Sequence, residues 1–209
     1  MVELQNSGIC CTLREDLMIE VERLVKEGEI DYILIESSGI SEPIPVAQTF
    51  TYIDESIGIN LSDRCRLDTM VTVVDANRFW HDFAFGETLL DRKQGTDERD
   101  NREVVDLLID QIEFANVLVL NKIDLVDDES AAELKTILQK LNPDAMIIET
   151  VRSEVELKEI LDTGYFNFEK ASQGAGWIKE LNEEHIPESA SQRMQQTWQP
   201  FLPVKLASG

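Results

Sequence analysis

Apolar positions along the chain follow two patterns: short unbroken runs, and longer stretches in which they recur every three or four residues. The runs Tyr32–Ile35, Met70–Val74, Val117–Leu120 and Ala145–Glu149 predict four buried strands, each bounded by polar or glycine-containing segments. The helical spacing predicts helices at Leu13–Glu27, Glu42–Ile53, Arg102–Phe114, Asp128–Leu141 and Glu154–Leu161. In the first, Leu17, Val21, Leu24 and Val25 share a face, Thr12 with Glu15 forms a capping-box pattern, and Gly28 ends it. Ser41, Glu42 and Pro43 read as the start of the second, with Ser41 as the N-cap hydroxyl, and Asn142-Pro143 closes the fourth. Met1–Leu4 reads as a short edge strand, Asn77–Phe85 as a short aromatic helix, Leu61–Leu67 as a polar irregular segment, and Leu90–Asn101 as a highly charged, exposed segment.

Strands alternating with helices predict an α/β fold with a mostly parallel sheet and helices on both faces. Right-handed crossovers bring strand C-termini to one edge, which places Glu36, Asp75 and Asn121 on a common rim, where open sheets of this class bind ligands.

The chain has 209 residues, 41 acidic against 19 basic, for a formal charge of -22. That balance argues against non-specific binding to nucleic acid or anionic membrane. No apolar run reaches the ~20 residues of a membrane span, and the start MVELQNSG lacks the pattern of a secretory signal. The three cysteines, Cys10, Cys11 and Cys65, form no disulfide framework, so a reducing cytoplasm is the expected location. Cys65 has no Cys or His partner nearby and reads as structural. His81 and His185 lack ligand spacing and read as packing or surface residues.

Two stretches carry chemistry. Glu36 ends the strand at Tyr32, and Ser37, Ser38 and Gly39 follow. A strand-end carboxylate beside a flexible turn suits a phosphate-bound Mg²⁺ or its water, and equally suits an ordinary strand-turn-helix junction. Asn121-Lys122-Ile123-Asp124 follows the third strand directly. An Asp can accept both the ring N–H and the exocyclic amine of guanine, an Asn can contact the other edge, and a Lys stem can pack across the ring. Asp75 could face the nucleotide or cap the segment from Asn77. Arg152-Ser153 follows the fourth strand, beside where a base would lie.

The ordered runs GICCTLREDL, ESSGISEP, VTVVDA and LNKIDLV resemble the CobW-like family of metal-chaperone GTPases, over roughly Val2 to Ala171. The resemblance implies a P-loop-GTPase fold that binds GTP/GDP with Mg²⁺. It implies nucleotide contacts at Ser38, Gly39, Asn121, Lys122 and Asp124, with Glu36 as the catalytic residue. It also implies loading of Zn²⁺ or Co²⁺ into a metal-requiring client protein; a homodimer is the partner under a competing dimerisation reading.

Two departures follow. No Gly-x-x-x-x-Gly-Lys-Ser/Thr occurs, so the fold is expected to be truncated at its N-terminus and GTP hydrolysis by this chain to be impaired. The family's Cys-x-Cys-Cys is also altered: Gly8 stands at the first position, leaving Cys10 and Cys11, which point apart in an extended segment. Residues 1–171 are expected to form a partial nucleotide domain and 172–189 a linker. Residues 190–209, which contain no Asp or Glu, are expected to form a tail that need not belong to the fold. A non-catalytic interaction or dimerisation module using Phe79–Phe85 and a metal-buffering fragment are the competing readings.

Overall fold

The computed structural model describes residues 2–4, 11–28, 30–37, 42–51, 58–84, 104–173 and 202–207. Its strands are β1 (Val2–Leu4), β2 (Tyr32–Ile35), β3 (Val71–Asp75), β4 (Val117–Asn121), β5 (Met146–Thr150) and β6 (Leu202–Ala207). Its helices are α1 (Cys11–Glu27), α2 (Pro43–Thr49), α3 (Phe79–Ala84), α4 (Val104–Glu113), α5 (Asp128–Leu141) and α6 (Phe168–Ala171).

Every residue of β4 is buried, as its unbroken apolar run requires. It is the middle strand of a parallel sheet ordered β3-β4-β5. Leu118 and Leu120 pack with Leu134 and Leu138 of α5 and Ile112 of α4, forming one core. Val117 and Val119, on the opposite face, are equally buried. Asn116 sets the lower end of the sheet: its backbone N–H donates to Met70 O at 2.8 Å, and its Oδ1 accepts the Met70 N–H at 2.9 Å.

The connection between α5 and β5 rests on Asn142, which is 6% exposed. Its Nδ2 donates to the carbonyls of Ile112 (2.8 Å), Glu113 (3.0 Å) and Ala115 (2.8 Å), and its Oδ1 accepts the N–H groups of Asp144 (3.2 Å) and Ala145 (3.1 Å). One side chain thereby satisfies the orphan carbonyls at the end of α4 and shapes the turn into β5.

β2 does not join this parallel sheet. It pairs antiparallel with β6, which also pairs antiparallel with β1, in a second sheet ordered β1-β6-β2. The single rim predicted for Glu36, Asp75 and Asn121 is therefore corrected: the hydrogen-bond ladder unites Asp75 with Asn121, whereas Glu36 follows a strand of the other sheet. The backbone of residues 202–207, inside the segment read as a tail, supplies the partner that β2 takes instead. Composition could not signal this, because strand pairing is set by backbone geometry across a long sequence separation. α1 packs Leu17, Met18 and Val21 with Phe50, Ile59 and Leu61 in a second core, against which Ile33, Ile35 and the half-buried Cys65 also pack.

Other boundaries shift. α1 starts at Cys11, so Thr12 lies inside the helix instead of capping it. α2 starts with Glu42 as N-cap and Pro43 in the first turn, and ends at Thr49. Only a 3-10 turn, Leu157–Glu159, forms where Glu154–Leu161 was predicted helical.

Candidate functional site

The parallel register sets Asp75, Asn121 and Thr150 side by side at the C-terminal ends of β3, β4 and β5. Each strand end is held by the residues just beyond it. Thr150 is buried and donates its hydroxyl to Glu154 O at 2.9 Å, closing the turn after β5. Within that turn Arg152 and Ser153 both take left-handed backbone, with φ of 55° and 56°. This brings Ser153 back to Asn121. The Ser153 N–H donates to Asn121 Oδ1 at 2.9 Å, and Asn121 Nδ2 donates to Ser153 Oγ at 2.8 Å. Asn121 is 8% exposed. The clasp uses one amide hydrogen and leaves the second for another acceptor.

Lys122 follows with φ 62°, ψ 35°, then caps the 3-10 turn Ile123–Leu125. Its Nζ meets Asp75 Oδ2 at 2.5 Å. Asp75 Oδ1 accepts the N–H groups of Asn77 (3.0 Å) and Arg78 (3.1 Å). Of the two readings for Asp75, the cap on the segment from Asn77 is the one seen, and its second oxygen pairs with Lys122. Burial pushes its pKa up, but the Lys122 ammonium and the two backbone N–H groups outweigh that and hold the carboxyl below the usual range.

Of the four non-glycine residues at positive φ among the described residues, three are Lys122, Arg152 and Ser153. Each such residue costs on the order of 1–3 kcal/mol, and strain of this kind gathers at functional sites. Asp124 lies in the 3-10 turn with its carboxylate exposed, and among the described residues nothing donates to it. The rim therefore presents a fixed amide, a fixed ammonium and an open carboxylate within four consecutive residues. A two-oxygen acceptor of this kind can take an N–H and an amine offered side by side on one edge of a ring, and the free amide hydrogen beside it can donate to an acceptor elsewhere.

Glu36 is exposed directly after β2. Ser38, Gly39 and Cys10 lie outside the described residues, as does His185, and Cys11 is described only as the first residue of α1. Among the described residues no group of three or more His, Cys, Asp or Glu could hold a metal ion, and no helix is long and apolar enough to cross a membrane. His81 is exposed on α3. In the aromatic stretch, Phe79 is buried and Trp80 is 43% exposed with its ring edge-on to Phe79 at 5.5 Å.

Sequence reasoning marked Asn121, Lys122 and Asp124, and placed Asp75 and Ser153 nearby, but did not pair Ser153 with Asn121 or Asp75 with Lys122. Position alone pointed to Ser153, since it follows the neighbouring strand. The Asp75–Lys122 pair has no local signal and becomes readable only when the register of β3 on β4 is known.

Residues 1–149 match the family described as CobW/HypB/UreG, nucleotide-binding domain. The chain is 50% identical over 190 residues to the zinc-regulated GTPase metalloprotein activator 1 of Dictyostelium discoideum, covering 90% of this chain and 40% of that protein. It is 30% identical over 187 residues to the protein of the same name from Schizosaccharomyces pombe, covering 88% and 40%. It is 31% identical over 164 residues to the zinc chaperone CobW of Pseudomonas aeruginosa, covering 76% and 42%. The chain thus spans about two fifths of the length of these relatives. No solved structure matches it.

Proposed function

The chain belongs to the CobW/HypB/UreG nucleotide-binding domain family, and from that membership we propose that the β4 rim is the guanine-reading end of a GTP-dependent metal chaperone. One observation carries the reading: Asn121 and Lys122 are fixed in place by Ser153 and Asp75, while the Asp124 carboxylate beside them stays open. Asp124 would accept the ring N–H and the amine of guanine. The remaining amide hydrogen of Asn121 would reach the base's other edge, and the Lys122 stem would lie across its plane.

In the same proposal Glu36 orients the hydrolytic water or the Mg²⁺ shell, and Ser38 and Gly39 contact the nucleotide on the phosphate side. Bound Mg²⁺ would neutralise charge on the phosphates. The cargo would be Zn²⁺, the metal named for the relatives, with Co²⁺ as the alternative, held at Cys10 and Cys11 and passed to a metal-requiring client protein. No Gly-x-x-x-x-Gly-Lys-Ser/Thr occurs in these residues, so slow hydrolysis by this chain alone is part of the proposal.

Displacement of a labelled GDP by unlabelled GDP and ADP tests the reading. GDP should displace and ADP should not, and Asp124→Ala should erase the difference. Equal displacement by the two nucleotides in the unaltered chain would end it.

A second reading, an interaction or homodimer surface, is favoured by Val73 at 59% exposure on β3 and by the exposed Trp80. It predicts a melting temperature that rises with protein concentration and ignores guanine nucleotides.

A further inference from the structure

Asp75 has two oxygens with different partners. Oδ1 takes the N–H groups of Asn77 and Arg78, so the carboxylate plane is set by its own turn. Oδ2 is thereby aimed at Lys122 Nζ, 2.5 Å away. Both side chains are partly exposed, and ion pairs of that kind add little to net stability. Yet Lys122 is held in left-handed backbone, a conformation that lysine disfavours and glycine would accept freely. A strained, paired lysine at the end of the central strand is poorly explained as a stabilising device. It is well explained as a way to fix where a long side chain points.

We propose that Asp75 is a positioning residue, holding the Lys122 stem in the orientation that receives a guanine ring while Asp124 reads its edge. This rests on the guanine reading above. Left unpaired, the lysine stem would sample several rotamers and have to be ordered each time a nucleotide bound. Paired with Asp75, it is ordered in advance. Because a stem lying across a ring contacts any purine alike, Asp75 sets affinity, and Asp124 sets which base is chosen.

Asp75→Asn keeps the side chain's shape and the Oδ1 acceptor but removes the charge that holds Lys122. In the full chain, affinities for GDP, xanthosine diphosphate and ADP should be measured for Asp75→Asn, Lys122→Met, the double variant and Asp124→Asn. Asp75→Asn should weaken GDP and xanthosine diphosphate about three- to tenfold by the same factor, leaving their ratio unchanged. In the Lys122→Met background it should cost nothing further, since Asp75 acts through that lysine. A merely structural Asp75 would give the same loss in both backgrounds, which would overturn the proposal. So would unchanged GDP binding by Asp75→Asn. Asp124→Asn reports separately on the reading beneath: an amide offers a donor to the xanthine 2-carbonyl, so preference should move from guanine to xanthine. If the unaltered chain shows no guanine preference, or Asp124→Asn does not change it, the guanine reading fails and the role of Asp75 fails with it.

Discussion

Ser153 and Asn121 hold each other twice, the Ser153 N–H on Asn121 Oδ1 and the Asn121 amide on Ser153 Oγ. The two bonds tie the turn after β5 to the end of β4, and they exist because Ser153 adopts φ 56°. Ser153→Ala should keep the backbone donor, leave Asn121 Nδ2 without its acceptor, and cost about 0.5–1.5 kcal/mol. Ser153→Gly loses the same hydroxyl but accepts the left-handed backbone without steric cost, so it should be at least as stable as the Ala variant. Urea unfolding of the two variants decides the point: a clearly more stable alanine would show that no strain is held at this turn.

Asn142 makes the corresponding tie at a wholly structural place. Asn142→Ala strips the carbonyls of Ile112, Glu113 and Ala115 of a shared donor in a buried setting. Unsatisfied buried polar groups cost about 1–3 kcal/mol each, with partial relief where water enters, so a loss of roughly 2–4 kcal/mol is expected. Chemical denaturation should show it as a lower midpoint with an unchanged slope.

Asp68 links regions far apart in sequence. It is 8% exposed and accepts the N–H groups of Thr163 (3.0 Å) and Gly164 (2.8 Å) and the hydroxyl of Tyr32 (2.9 Å). Burial opposes its charge, but the donors from Gly164, Thr163 and Tyr32 prevail and lower its pKa. Its contribution should be complete above an unfolded pKa of about 3.9 and lost as pH falls through the depressed folded value. Tyr32 behaves in the opposite sense. Burial, then the bond to Asp68, pushes its pKa up to about 12, so its share is present below pH ~10 and disappears as pH rises through the folded value. Stability measured against pH should therefore fall at both ends, and Asp68→Asn should flatten the acid limb. An unchanged acid limb would remove Asp68 from the account.

How legible these features were depends on how local their causes are. β4 was predicted at Val117–Leu120 because burial on both faces leaves an unbroken apolar run, and α5 was predicted at its observed limits because its spacing and the Asn142-Pro143 stop are local. The loop Asn121–Asp124 could be marked because its chemistry lies in four adjacent residues. Ser153 and Asp75 could not be given partners, since strand register decides which turns meet. The partner of β2 was hidden for the same reason. β6 lies in a stretch whose composition reads as a tail, and it pairs with β2 across a long sequence separation.

The parallel sheet has one well-covered face and one thinly covered edge, and substitution should tell them apart. Leu138 is fully buried in the α4–α5 core against Leu118 and Leu120. Leu138→Ala should cost about 2–5 kcal/mol through lost burial and the cavity left behind. Val73, on β3, is 59% exposed although it sits in the middle of a parallel strand, where both faces are ordinarily covered. Val73→Thr keeps the β-branched shape, so in the isolated chain it should change stability by no more than about 0.5 kcal/mol. If copies of the chain associate through this edge, the same substitution should lower the melting temperature at high protein concentration and leave it unchanged at low concentration. A large concentration-independent loss would mean that Val73 is covered within the single chain.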